Sequence, residues 1–249
     1  MAALLPIIRG GVYQDHGETH WVGGSIKKCR AGEDNGGGFY QNNGKTYFQD
    51  VSFEENYSED HGGAYYCDTA DGLWFINCKM IQNRADDDGG AIYMNKKNMY
   101  LEDCSVISNA AVGNGGGIYI ASSGTISVRG VVVIRNNDGK ESMDNLVLGR
   151  NALIYNLGLE PKSEICLRSV SDGDAKLGGS MMSDYQLNKY FRADHGKLEL
   201  TDTETVNTEL RASVFSGGTT ALIIGAAVLL IALAGGIIYK RNKQKGGAQ

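Results

Sequence analysis

Acidic residues recur at one kind of position in this sequence. Glu33-Asp34, Glu59-Asp60 and Asp86-Asp87-Asp88 each stand a few residues ahead of a glycine run. If the chain stacks Asp34, Asp60 and Asp87 on one another, their carboxylates lie about 5 Å apart, close enough to raise carboxylate pKa values or to hold Ca2+ among oxygens. The plainer alternative is a set of solvated turn residues that keep the surface soluble. Catalysis would need a base beside the acids. His61, next to Asp60, is the one nearby candidate, and no Lys or Arg column accompanies it. No residue is therefore assigned a catalytic role, and no cofactor is expected beyond Ca2+ at that ladder.

Five cysteines (Cys29, Cys67, Cys78, Cys104, Cys166) form no CxxC pair, and four scattered histidines offer no zinc spacing. Cys78 and Cys104 each precede an asparagine by five residues. Stacked in neighbouring coils, they would make either a disulfide or a buried thiol column. Asn56-Tyr57-Ser58 matches a glycosylation sequon. Tyrosines recur at 13, 40, 66, 93 and 119. Tyr40, Tyr66, Tyr93 and Tyr119 form a candidate binding face, a stacking platform for glycan rings or a partner surface, unless they merely brace the fold.

These residues keep one beat. Gly36-Gly37-Gly38-Phe39-Tyr40, Gly62-Gly63-Ala64-Tyr65-Tyr66, Gly89-Gly90-Ala91-Ile92-Tyr93 and Gly115-Gly116-Gly117-Ile118-Tyr119 repeat every 26 or 27 residues, and Arg9-Gly10-Gly11-Val12-Tyr13 is a fifth copy lacking the first glycine. A second marker runs in phase: Phe53-x-x-Asn56, Met80-x-x-Asn83, Val106-x-x-Asn109 and Val133-x-x-Asn136. Each unit is too short for a pair of helices and too poor in Leu for a leucine-rich repeat. Three short strands and three turns fill such a unit, and coils stacked at about 4.8 Å pair every strand above and below. The expectation is all-β: a right-handed parallel β-helix. Gly37, Gly63, Gly90 and Gly116 would permit tight turns, and Asn56, Asn83, Asn109 and Asn136 would bond to the asparagine stacked above. The apolar set Phe39, Tyr65, Ile92 and Ile118 should face inward and the tyrosines outward.

The paired GGA-x-Y and apolar-x-x-Asn motifs over roughly residues 9–140 resemble the repeat of the chlamydial polymorphic outer-membrane proteins, with its GGAI and FxxN hallmarks. That family consists of surface-exposed β-helix adhesins, so the resemblance implies a β-helix with a surface-binding role. The ending departs from the family's, a single apolar segment standing where those proteins carry a β-barrel, and transport through an outer membrane is not implied.

That segment, Ala221 to Tyr239, contains ten Leu, Ile or Val and no charge, and as a helix it spans roughly 28 Å, one bilayer core. Lys240, Arg241, Lys243 and Lys245 follow it, which places the C-terminus in the cytoplasm and the body outside the plasma membrane. The four basic residues leave residues 1–211 at −9 against −5 for the whole chain, a poor match to nucleic acid. With 35 Gly, only 2 Pro and 42% hydrophobic residues, a disordered chain is excluded as well. The expected organisation is β-helix repeats over 1–140, irregular closing coils over 141–200, a stalk over 201–220, a transmembrane helix over 221–239 and a basic tail over 240–249. Because Arg9–Tyr13 already sits at mid-coil and MAALLPII makes a poor signal peptide, further coils and a secretory signal are expected upstream. The function expected is that of a membrane-anchored surface protein, adhesin-like and without catalysis, whose partner is a host-surface protein or glycan. A membrane-tethered β-helix polysaccharide lyase or glycoside hydrolase is the alternative.

Overall fold

The computed structural model describes residues 10–170, 175–178, 189–195 and 198–201. The transmembrane helix expected at 221–239, the tail at 240–249 and all but the first residue of the stalk lie outside these. Among the described residues no helix is long and apolar enough to cross a membrane.

The first coil runs through β1 (Val12–Gln14), β2 (Glu18–Val22), β3 (Ser25–Lys27) and β4 (Arg30–Ala31). Each strand pairs in parallel with its equivalent one coil later: Tyr13 with Tyr40, His20 with Tyr47, Ile26 with Phe53, Arg30 with Tyr57. The same four ladders continue through the following coils. Four strands per coil replace the three expected, because the two-residue β4 ladder is too short to leave a pattern in sequence. The β1 and β3 ladders close on Glu164–Ser169, a six-residue strand whose first part pairs with Val133 and Ile134 of the β3 ladder and whose second part pairs with Leu146–Leu148 of the β1 ladder, while Ala175–Gly178 and Leu198–Thr201 continue the β2 ladder. Two faces of the solenoid are thereby tied into one sheet.

Strand alternation sends one column of each ladder inward. Phe39, Tyr65, Ile92, Ile118 and Leu146 are fully buried along β1, as are Leu73, Met99, Ile126 and Ile154 along β2 and Phe53, Val106 and Ile134 along β3. Repetition stacks like on like. Phe39 lies 5.1 Å from Tyr65, and Phe48 5.2 Å from Phe75, ring over ring, while Phe48 meets Phe53 edge-on at 5.0 Å. Such pairs add stabilisation beyond their buried area.

The asparagines bind the coils at the β3–β4 corner. Asn56 donates its backbone N–H and its Nδ2 to Oδ1 of Asn83, which does the same to Asn109. Each amide also donates to the marker carbonyl one coil back, Asn56 to Ile26, Asn83 to Phe53 and Asn109 to Met80. The apolar-x-x-Asn spacing is thus a hydrogen-bonding motif that operates between coils. The ladder passes next through Asn137, at 2.9 Å from Asn109, and not through Asn136 as the sequence spacing suggests. The register explains the slip: Val106 pairs with Ile134, a separation of 28 residues, so the marker here is Ile134-x-x-Asn137. Asn136 instead holds the left-handed corner (φ 55°) that Lys28, Glu55, Gln82 and Ser108 hold in earlier coils, a conformation asparagine tolerates. Asn145 extends the ladder, and Asp194 ends it by accepting from both Asn145 N–H and Nδ2 at 2.9 Å.

The glycine pair divides its work. Gly36, Gly62, Gly89 and Gly115 take positive φ, from 65° to 72°. In the second position there is no room for a Cβ, which at Gly63 would lie 2.3 Å from the Gly90 carbonyl oxygen and 2.4 Å from that of Arg84. Gly37, Gly63, Gly90 and Gly116 are therefore fixed by close approach of neighbouring coils, with the turn conformation left to the glycine before each.

Asn137→Ala strips the acceptor from two buried donors of Asn109 and a donor from the Val106 carbonyl. It should cost about 3 kcal/mol or more in urea unfolding, while Asn136→Gly stays within about 0.5 kcal/mol. At the ladder's end, burial raises the Asp194 carboxyl above its ordinary 3.8, and the Asn145 donors only partly offset this. A raised pKa means the folded state holds the proton more tightly, so this group's favourable contribution is present at low pH and is lost as pH rises above about 3.8 and through the folded value. An asparagine can accept both Asn145 bonds on one oxygen, as its predecessors do. Asp194→Asn should therefore gain stability over the parent at neutral pH, and the gain should vanish toward pH 4 in urea titrations across about pH 4–8.

Candidate functional site on the tyrosine flank

The outward column of the β1 ladder is a continuous pile of phenol rings. Tyr13, Tyr40, Tyr66, Tyr93 and Tyr119 have successive centroids 5.3, 4.9, 5.1 and 5.5 Å apart. Tyr66 and Tyr93 are nearly parallel at 11°, and Tyr93 and Tyr119 open to 48°. Tyr13 is 44% exposed, Tyr40 is buried, and the next three are half-buried. Burial raises the hydroxyl pKa of Tyr66, of Tyr93 to about 12 and of Tyr119, and nearby carboxylates add to it. All three phenols stay protonated at physiological pH, each able to donate and to accept.

His61 joins this pile to the acidic turns. Its ring stacks on Tyr93 at 4.3 Å and lies 6.4 Å from Tyr66. Its Nδ1 accepts the Asp88 backbone N–H at 3.2 Å, which puts the ring proton on Nε2, 3.6 Å from Asp87 Oδ2. Asp88 in turn accepts from the Asn114 N–H and Nδ2. Burial raises the Asp87 carboxyl most; His61 opposes the rise, and Asp88 and Asp60 add to it.

The expected triad of Asp34, Asp60 and Asp87 is arranged differently. Among the described residues the metal-type group whose ligand atoms converge within 4.8 Å is His61, Asp87 and Asp88. Asp60 meets Asp87 through its carbonyl, which accepts the Asp87 N–H at 3.2 Å. Asp34 accepts the N–H of Asn35. Its turn, 32–35, is one residue longer than 59–61, so Asp34 falls out of step, whereas Asp60 and Asp87 hold the same place in the equal turns 59–61 and 86–88. Nor does the His61 group fit a cation as it stands: the single imidazole lone pair is taken by the Asp88 N–H, and a metal at either ring nitrogen would break that bond.

Other carboxylates on these turns have structural partners. Arg30 and the Glu33 N–H lower the Glu59 carboxyl pKa, and the Tyr57 hydroxyl and Arg84 lower that of Asp86. Across the tyrosines, on the turn that follows β1, Asp15 accepts from Asn42 Nδ2 at 2.7 Å and Asp68 from Asn95 Nδ2 at 3.0 Å.

A family model described as right handed beta helix region matches residues 7–156. The chain belongs to the right-handed β-helix family. No curated protein and no solved structure matches it.

Other features of this β-helix escaped the sequence reading. On the outer face of the β2 ladder His20, Tyr47 and Trp74 stack at 4.5 and 4.3 Å. Trp74 is 2% exposed, with no partner for Nε1. Tyr47, Trp74 and Tyr100 keep the same 27- and 26-residue beat, a signal hidden by their differing residue types. The buried Arg168–Asp144 pair, with Arg168 also on Asn114, joins the closing strand to earlier coils and leaves no local trace. Cys78 and Cys104 do stack, Sγ of Cys104 lying 3.5 Å from the Cys78 nitrogen, and both are free thiols.

The sequon asparagine is Asn56, 1% exposed and part of the ladder. Secretion from a eukaryotic host should leave the Asn56 peptide unglycosylated, with no mass shift on treatment with a glycan-removing amidase.

Proposed function

We propose that this protein is a non-catalytic binding β-helix, displayed outside a cell on the anchor at 221–239, that holds an extended partner along its tyrosine flank. The observation that carries this reading is the five-ring tyrosine pile. It runs along the solenoid axis and brings the hydroxyls of Tyr66, Tyr93 and Tyr119 into a row. Tyr66 and Tyr93 stack face to face and the other neighbours lean together at 31° to 48°, so ring faces are largely spent within the pile and the flank offers mainly ring edges and hydroxyls. A partner would meet it as a line of phenol groups recurring at the rung spacing of about 4.8 Å. The resemblance of the repeat to chlamydial surface adhesins supports a role at the cell surface, as does the charge-free apolar segment.

One observation favours a second reading as an enzyme on acidic polysaccharide: Asp87, a carboxyl of raised pKa, lies beside the imidazole of His61. Against that reading, Asp88, the second carboxyl beside His61, is already engaged by the Asn114 N–H and Nδ2.

Replacing Tyr66, Tyr93 and Tyr119 together by Phe keeps the pile and removes the hydroxyls. With the full chain in detergent-free vesicles, adherence to host cells should fall about tenfold while the melting temperature stays put. Unchanged adherence would overturn the binding reading. Release of unsaturated or reducing ends from uronate polymers would favour the enzyme.

A further inference from the structure

The margins of the tyrosine flank carry like charge on both sides. On the turn before β1 stand Asp60, Asp87 and Asp88, gathered around His61. On the turn after it stand Asp15 and Asp68, each accepting an amide from the asparagine one coil on. This second margin alternates by coil as Asp15, Asn42, Asp68, Asn95. Carboxylates in adjacent rungs would sit about 5 Å apart and repel, whereas alternation places them about 10 Å apart with an amide donor between. The margin therefore keeps its negative charge without stacking charge on charge. Asp68 acts on both Tyr66 and Tyr93, and Asp87 and Asp88 act on both Tyr93 and Tyr119. The hydroxyl row thus lies in the negative field of both margins. Arg168 brings a positive field to the Tyr119 end of the row. Lys96 and Lys97 occupy the turn after Tyr93, where Asp68 and Asp71 stand one coil earlier.

We propose that this flank recognises an extended, lysine-rich polypeptide segment. The inference rests on the binding reading above and names the chemistry of its partner. An ammonium carries three donors and no acceptor, and protonated phenol oxygens between two rows of carboxylates accept all three. Neutral sugars find no use for the fixed charge, and acidic chains are repelled. A basic segment running along the axis exchanges hydration for carboxylate and phenol contacts at Asp68, Asp87, Tyr66 and Tyr93. The long lysine stems absorb the difference between peptide spacing and rung spacing. A negative strip on an acidic body also speeds encounter with such a chain at low salt.

The test is calorimetric titration of the full chain, in neutral detergent micelles, with a lysine decapeptide. Binding should weaken steeply as salt rises. Asp68→Asn with Asp87→Asn should weaken it about tenfold, and Tyr93→Phe several-fold. Glu55→Gln with Glu164→Gln removes the same net charge from the β3 side and should leave it unchanged. Equal loss in the two charge-matched pairs, or binding of an aspartate decapeptide as tight as that of the lysine one, would overturn the proposal. So would no binding at low salt. If the decapeptide fails while the Tyr→Phe variants still lose adherence, the flank remains a binding face and only its cationic partner is wrong.

Discussion

In a parallel solenoid each backbone N–H along the axis must find a carbonyl in the next rung, and it can do so only if every coil keeps the same path. At the corners the ladders would otherwise fail. There the chain turns through a left-handed residue in each coil, among them Lys28, Glu55, Gln82, Ser108 and Asn136, at a cost of about 1 kcal/mol apiece. The asparagines that follow the last three of these, Asn83, Asn109 and Asn137, each offset this by supplying three bonds: one to the marker carbonyl behind, and two received on Oδ1 from the asparagine behind. In the first coil Cys29 takes the place of the asparagine, and its N–H still donates to Asn56 Oδ1. Remove the ladder and buried donors lose their acceptors in successive coils together. The register of the whole array hangs on this column of amides.

Fixed register turns the surface into columns, and columns impose their own chemistry. Aromatic groups gain from being stacked, which is why Tyr, Phe and the Trp74 group appear in runs. Charges lose by it. The chain answers with alternation: Asp15, Asn42, Asp68 and Asn95 on one turn, and on the β4 ladder Arg30, Tyr57 and Arg84, where the Arg30 guanidinium lies 4.4 Å from the Tyr57 ring centre. Among the described residues the buried charges are paired: Asp144 with Arg168, and Glu102 with Arg129 and the Tyr100 hydroxyl.

The coil was readable in sequence for the same reason. A column demands the same residue type at the same phase, so Gly36, Gly62, Gly89 and Gly115 or Tyr40, Tyr66, Tyr93 and Tyr119 betray the fold without any alignment. Where a column needs only a shape or a hydrogen bond, residue type drifts and the signal goes. The His20, Tyr47, Trp74 stack changes residue at every step, and β4 needs only two residues per coil. Asn136 and Asn137 show a subtler limit: two adjacent asparagines serve the two roles of the corner, and an insertion of one residue decides which is which. The joining of His61 to the tyrosines was invisible because it depends on turn lengths, not on residue identity. A turn one residue longer, as at 32–35, puts Asn35 where His61 stands and leaves no imidazole to stack.

Stacking also sets what the flank can do. An isolated tyrosine binds a sugar or a cation through its ring face, where the π electrons are. Within the pile Tyr66 and Tyr93 cover each other and the tilted neighbours crowd the remaining faces, so that mode is largely spent on the fold, and what reaches solvent is mainly the hydroxyl and the positive ring edge. A partner that prefers phenol oxygen must overcome the edge's own positive potential. The carboxylates of Asp68, Asp87 and Asp88 supply the negative field that makes this favourable, and only for a partner that is itself positive. The acids were first conspicuous as a ladder for metal or catalysis. Their place on either side of the rings gives them a different use: they decide the sign of what the tyrosine edge can hold.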